Sequence, residues 1–186
     1  MDDADARALL TRLWVDHHEP VARFVARRAM PELVDDVVSE TFLVAWRKVE
    51  DVPAEPRPWL FGVARNVLST HLRTHGRWRA LGTRLEQEPE PGREGTADVA
   101  ADRTDLRRAW DLLSAADREV IALVAWDGLT AVEAARVLGV RPTTFSVRLT
   151  RARKRLLAFS GLPHETADVL RNLKSSTGSS VGEEAR

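Results

Sequence analysis

The chain has no cysteine in its 186 residues, which excludes disulfides and thiolate metal sites and fits a reducing compartment. It also lacks a long apolar run near its start. Acids and arginines interrupt the first residues throughout, so neither a signal peptide nor a membrane span is expected there. Strand-like alternation of useful length is missing, and no internal repeat is evident. Net charge is missing too, because 28 basic and 28 acidic side chains cancel. What remains is segregation of charge: two basic stretches flank an acidic one, and local fields govern docking. The expectation is a soluble, cytoplasmic, all-α protein that can bury one ordinary core or two small ones.

Periodicity divides the chain into two helical domains, over residues 6–79 and 105–160, joined by a segment at 80–104. That segment carries Glu86, Glu88, Pro89, Glu90, Pro91, Gly92, Glu94, Gly95 and Asp98. Breakers combined with like charge predict a flexible, extended acidic linker. The tail over 161–186 is poor in apolar residues and is expected to be largely disordered.

The most specific local pattern lies in the second domain. Thr130 and Glu133 have capping-box spacing and predict a helix start, Gly139 predicts its end, and Pro142 suits the first turn of the next helix. Two short helices joined by a tight turn are the pattern of a helix-turn-helix DNA reader. In the second of them, Phe145, Leu149, Ala152 and Leu156 form one apolar stripe. Thr143, Thr144, Val147, Arg148, Arg151 and Arg155 fall on other faces. With Arg141, Arg153 and Lys154 they make a basic surface without an acid, suited to phosphate neutralisation and to arginine readout of guanine edges.

In the first domain a helix is expected over about residues 32–49, with Val34, Val37, Val38 and Ala45 inside and Phe42 and Trp46 near the edge. Asp36, Ser39, Glu40, Leu43 and Arg47 share its other face, which on spacing alone is an ordinary solvated surface. A proline-rich loop, Asp51 to Arg57, precedes a helix expected to open at Pro58. Leu60, Val63, Ala64, Val67, Leu68 and Leu72 point inward, while Arg65, Asn66, Ser69, Thr70 and Arg73 point outward. No acid occurs from Arg57 to Arg84, where arginines and histidines alternate with Trp59, Phe61 and Trp78. Cationic groups, amides and hydroxyls in this arrangement suit a nucleic-acid backbone and exposed bases; Trp59 and Phe61 are expected in the core.

These features, in this order, resemble the extracytoplasmic-function (ECF) sigma factors of bacterial RNA polymerase, over nearly all of the chain up to about Phe159. The resemblance rests on DDVVSETFLVAW at Asp35 to Trp46, RPWLFGVARNVLSTHLR at Arg57 to Arg73, and EAARVLGVRPTTFSVRLTRARKRL at Glu133 to Leu156. It implies two all-α domains, sigma regions two and four, with the linker in place of region three. It also implies a protein without catalytic residues, cofactor or metal, whose partners are core polymerase and promoter DNA. An anti-sigma factor is a common further partner in the family, and no membrane insertion is implied.

Position by position, Asp36, Ser39, Glu40, Leu43 and Arg47 look like the surface that grips the β′ clamp helices, and the β flap is a second implied polymerase contact. Arg57, Arg65, Asn66, Ser69, Thr70, Arg73 and Arg77 look like the minus-ten reader, with the loop from Asp51 holding a flipped base. Arg141, Thr143, Thr144, Val147, Arg148, Arg151 and Arg155 look like the minus-thirty-five reader. The acidic linker resembles the segment that passes through the polymerase active-site and RNA-exit channel. Two positions depart from the family pattern. Ser39 replaces a common glutamine, and Ser146 with Val147 replaces a basic residue followed by serine, so promoter sequence does not transfer.

Two other classes compete. A free-standing helix-turn-helix regulator would bind duplex DNA without polymerase, but the first domain resembles no common ligand-sensing module. A metal-dependent enzyme is more distant. His17, His18 and Glu19 are too close together to form a triad on one helix face, and His71 and His75 lack a nearby carboxylate in sequence.

Overall fold

A computed structural model of the chain describes residues 3–75 and 97–161, all of whose regular elements are helical. Three helices form the first domain: α1 (Asp3–Ala26), α2 (Pro31–Arg47) and α3 (Pro56–His75), with a 3₁₀ turn at Val49–Asp51. Four form the second: α4 (Ala97–Leu112), α5 (Ala115–Ala125), α6 (Ala131–Leu138) and α7 (Pro142–Ser160).

Local chemistry sets the helix ends of the second domain. Ser114 caps α5 by accepting from the Asp117 backbone N–H at 3.1 Å. Thr130 and Glu133 close a reciprocal capping box at α6, with the Glu133 carboxylate 2.7 Å from the Thr130 backbone nitrogen. Gly139 ends α6 at φ +65, a left-handed conformation that glycine adopts without a Cβ clash, and Pro142 begins α7. The helix-turn-helix therefore forms where its signals predict it.

In the first domain, α1, α2 and α3 pack mutually. Val37, Val38, Thr41, Phe42 and Ala45 are the buried face of α2, and Thr41 satisfies its hydroxyl by donating to the Val37 carbonyl at 2.7 Å. Phe24 and Phe61, both fully buried, stack with ring centroids 4.6 Å apart. In the second domain α7 lies against α4, α5 and α6, and its buried residues include Phe145, Leu149, Ala152 and Leu156, the expected stripe.

Two boundaries move from their sequence-based positions. Helix α3 opens at Pro56 rather than Pro58, which takes Arg57 out of the preceding loop and into the first helical turn. A proline at N1 has no N–H to leave unpaired, so either proline can serve. The segment expected to be extended over 80–104 is helical from Ala97. Its breakers end at Gly95, after which Ala97, Ala100 and Ala101 have high helix propensity. The remainder of the acidic linker, Arg77, and the tail beyond 161 lie outside the described residues.

The two domains are not held apart. Helix α3 packs on α6, and the buried residues of both domains form one continuous cluster. At the contact the position of a Cβ on Gly62 would lie 3.9 Å from the Val137 Cα, so the two helix backbones approach closely.

Candidate nucleic-acid interface

The second helix of the helix-turn-helix presents an open polar face. Arg141 at the N-cap of α7 and Thr143, Thr144, Arg148 and Arg151 along it are exposed, and Val147 among them is 49% exposed. Arg155 belongs to a different environment: its Nη1 donates to both carboxylate oxygens of Asp117, at 2.8 and 2.9 Å. Arg153 is partly covered, and desolvation lowers its pKa from the ordinary arginine value. The free cationic surface is therefore centred on Arg148 and Arg151, toward the start of α7.

The seven sequence-based candidates for the minus-ten reader separate. Asn66, Thr70 and Arg73 are exposed, Ser69 and Arg65 are half-buried, Arg57 is half-buried at the domain junction, and Arg77 is outside the described residues. Arg73 Nη2 donates to the Thr70 hydroxyl at 3.3 Å, and that hydroxyl donates to the Asn66 carbonyl at 3.1 Å, so three candidates form one chain along the helix.

Helix α2 brings Asp36, Ser39, Glu40, Leu43 and Arg47 together on one exposed face. Ser39 and Leu43 also line a groove of about 460 Å³, completed by Leu10, Trp14, Phe42 and Trp46. Trp14 and Trp46 are each 46% exposed, and Trp14 packs against Phe42 at 4.9 Å and against the His18 ring at 4.3 Å. Periodicity placed Trp46 at the edge of α2 but carried no signal for Trp14, because α1 crosses α2 only in three dimensions.

At the junction a set of arginines from the first domain meets acids from the second. Arg28, only 4% exposed, donates from Nε to Glu119 at 3.1 Å and from Nη2 to Asp127 at 2.6 Å, and its Nη1 donates to the Phe24 carbonyl at 2.9 Å. Its guanidinium also lies 3.7 Å over the Phe24 ring. Burial by itself would lower the Arg28 pKa, but attraction and hydrogen bonds from Glu119 and Asp127 outweigh it and raise the value. Arg27 Nη1 donates to the other Asp127 oxygen at 3.0 Å. Arg57 donates to the Asp127 backbone carbonyl, and Arg65 Nε lies 4.0 Å from Glu119. Gly128, at φ +64, turns the chain directly after Asp127, with its Cβ position 3.8 Å from the Arg57 guanidinium.

None of Arg27, Arg28, Glu119 and Asp127 was singled out by sequence. The only available signal was the pair of adjacent arginines at the end of α1. Their partners lie about a hundred residues downstream, beyond any local spacing rule.

Comparison with known proteins agrees with this architecture. Residues 14–78 match the family Sigma-70 region 2, and residues 103–156 match Sigma-70, region 4. The ECF RNA polymerase sigma factor SigL of Mycobacterium tuberculosis is 33% identical over 153 residues, which cover 78% of this chain and 86% of SigL. The RNA polymerase sigma factor CnrH of Cupriavidus metallidurans is 34% identical over 160 residues, covering 76% of this chain and 81% of CnrH. The solved structure of CnrH with the cytosolic domain of CnrY aligns at TM-score 0.56 and 26% identity, over 83% of this chain and 92% of that one. The sigma factor RpoE from Bartonella quintana, solved with the anti-sigma factor NepR, shares the fold at TM-score 0.56 and 24% identity, over 82% and 96% of the two chains. With both sigma regions matched in order and relatives of this identity covered over most of their length, the chain belongs to the ECF sigma factors of RNA polymerase.

Proposed function

We propose that this sigma factor divides its work among three helices. The face of α2 bearing Asp36, Ser39, Glu40, Leu43 and Arg47 grips the β′ clamp helices of core polymerase, while the second domain meets the β flap. Helix α7 reads the minus-thirty-five element as duplex through Thr143, Thr144, Val147, Arg148 and Arg151, with Arg141 and Arg155 toward phosphates. Helix α3 holds the opened minus-ten element through Arg57, Arg65, Asn66, Ser69, Thr70 and Arg73, and Arg77 beyond it in sequence joins them. The observation carrying this division is the exposed face of α7, cationic and acid-free around Arg148 and Arg151, on a capped helix-turn-helix.

The mechanism is differential binding. Two weak readers on one chain raise each other's effective concentration, so small domains suffice once polymerase sets their separation. Extruding a base costs a few kcal/mol, which contacts to the unpaired strand must offset. Bond formation stays with the polymerase, and the protein acts in the cytoplasm without a cofactor. An anti-sigma factor is a further proposed partner, supported by the likeness to CnrH in its complex with CnrY.

Transcription with core polymerase on a promoter library tests the reading. Co-elution with core and promoter-dependent transcripts are expected. Tight promoter binding without any association with core would instead identify a free-standing regulator.

A further inference from the structure

The arginines at the domain junction include two assigned above to opened promoter DNA. Arg57 and Arg65 lie on α3 beside Arg27 and Arg28 at the end of α1, and all four turn toward Glu119 and Asp127 of the second domain. A pair of carboxylates facing guanidinium groups presents the same acceptor chemistry as phosphodiester oxygens. We infer that Glu119 and Asp127 occupy this arginine set in the free protein in place of single-stranded promoter DNA, and that the DNA strand competes with them when the domains separate. Two consequences follow. The closed arrangement is autoinhibited for minus-ten binding, and Arg27 and Arg28 join the DNA-binding set once it opens. The inference rests on α3 being the minus-ten reader.

Three further observations support a contact built to be exchanged. The Arg57 Nε is buried with no hydrogen-bond partner in the closed arrangement, so one donor of this set is unsatisfied until another acceptor arrives. The most enclosed pair, Arg28 with Asp127, is a buried ion pair, a class whose desolvation cost cancels much of its attraction. Such a contact fixes an orientation without making it irreversible. Meanwhile Asn66, Thr70 and Arg73 on α3 and Arg148 and Arg151 on α7 stay exposed, so closure engages Arg57 and Arg65 of the strand reader and leaves the duplex reader free.

The absence of native cysteine allows a direct test. Gly62→Cys with Val137→Cys places thiols at the α3–α6 contact, where the Gly62 Cβ position lies 3.9 Å from the Val137 Cα. The crosslink, confirmed on a non-reducing gel, locks the closed state, and reduction releases it. Binding is read by anisotropy with labelled random-sequence pools, one single-stranded and one duplex, with and without core polymerase. The oxidised protein should lose single-strand binding, recover it on reduction, and bind duplex equally in both states. A second variant, Glu119→Gln with Asp127→Asn, should enlarge the radius of gyration in solution scattering. Because autoinhibition requires the open form to be a minor population, the variant should also tighten single-strand binding by about ten- to a hundredfold.

Equal single-strand binding by oxidised and reduced protein would overturn the inference, as would a double variant that binds no more tightly than the parent. If no form binds single strands while duplex binding persists, the assignment of α3 itself has failed, and the inference falls with it.

Discussion

His71 Nε2 on α3 lies 2.7 Å from the Glu40 carboxylate on α2, so Nε2 carries a proton and donates across the two helices. The bond ties the proposed polymerase-binding face to the helix proposed to hold the opened strand. Glu40 has nearly half of its side chain in solvent, and an exposed pair of this kind contributes at most about 1 kcal/mol to stability. Glu40→Lys is thus expected to weaken core binding, measured by co-elution or fluorescence titration, with little change in helical content or thermal midpoint. Loss of folding would show that the face is structural.

The duplex reader should respond differently from the strand reader. Arg148→Ala and Arg151→Ala should weaken binding to upstream-element duplex, and each lost phosphate contact should make the salt dependence shallower by about one unit of slope. A filter-binding series in salt measures it.

Arg65→Ala or Asn66→Ala should instead impair open-complex formation, seen as reduced permanganate reactivity of melted thymines, with binding to upstream duplex unchanged. Equal defects of both classes on linear and on pre-melted promoter would refute the division of labour. Because Arg65 also lies near Glu119, its replacement should loosen the domain junction as well, whereas Asn66 is exposed and should act on the strand alone.

Gly62→Ala should stabilise the protein. The added Cβ would meet Val137 atoms at 3.9 Å, an ordinary van der Waals contact, and alanine in place of a mid-helix glycine is worth about 1 kcal/mol. For a chain of this size the thermal midpoint should rise by about 2–4 °C in calorimetry. A fall would mean that the α3–α6 contact is tighter than the backbone positions indicate.

His17 gives a pH dependence with a definite sign. Burial lowers its pKa from 6.5; Asp16 opposes that shift, and the Arg57 charge adds to it. On acidification below 6.5 the unfolded chain takes up a proton before the native histidine does, so this group removes stability as pH falls toward its lowered native value. Denaturant midpoints of the parent and His17→Gln, compared across that interval, should converge at low pH relative to neutral pH if the parent is the more stable at neutrality. In every case the variant should have the shallower acid-side decline. Identical slopes would rule out the shift.

The helix-turn-helix was legible because its determinants act within a turn or two of chain. Thr130 reaches Glu133, Gly139 turns the backbone, Pro142 starts α7, and Phe145 through Leu156 repeat with the helix. The α2 stripe was legible for the same reason, apart from Val34, which the fold leaves half-buried. The start of α4 was misplaced because acidic composition over 80–104 outweighed the alanines that follow Gly95.

Sequence by itself determined the all-α class, the capped turn and the polar faces of α2, α3 and α7, since each depends on spacing along one helix. Only the tertiary structure decided which of those faces remain open. Arg148 and Arg65 look alike as letters in the chain, yet one faces solvent and the other stands near Glu119. The same holds for Arg28 and Asp127, separated by 99 positions: a charge acquires its partner and its dielectric surroundings only when α3 packs on α6 and the domains close.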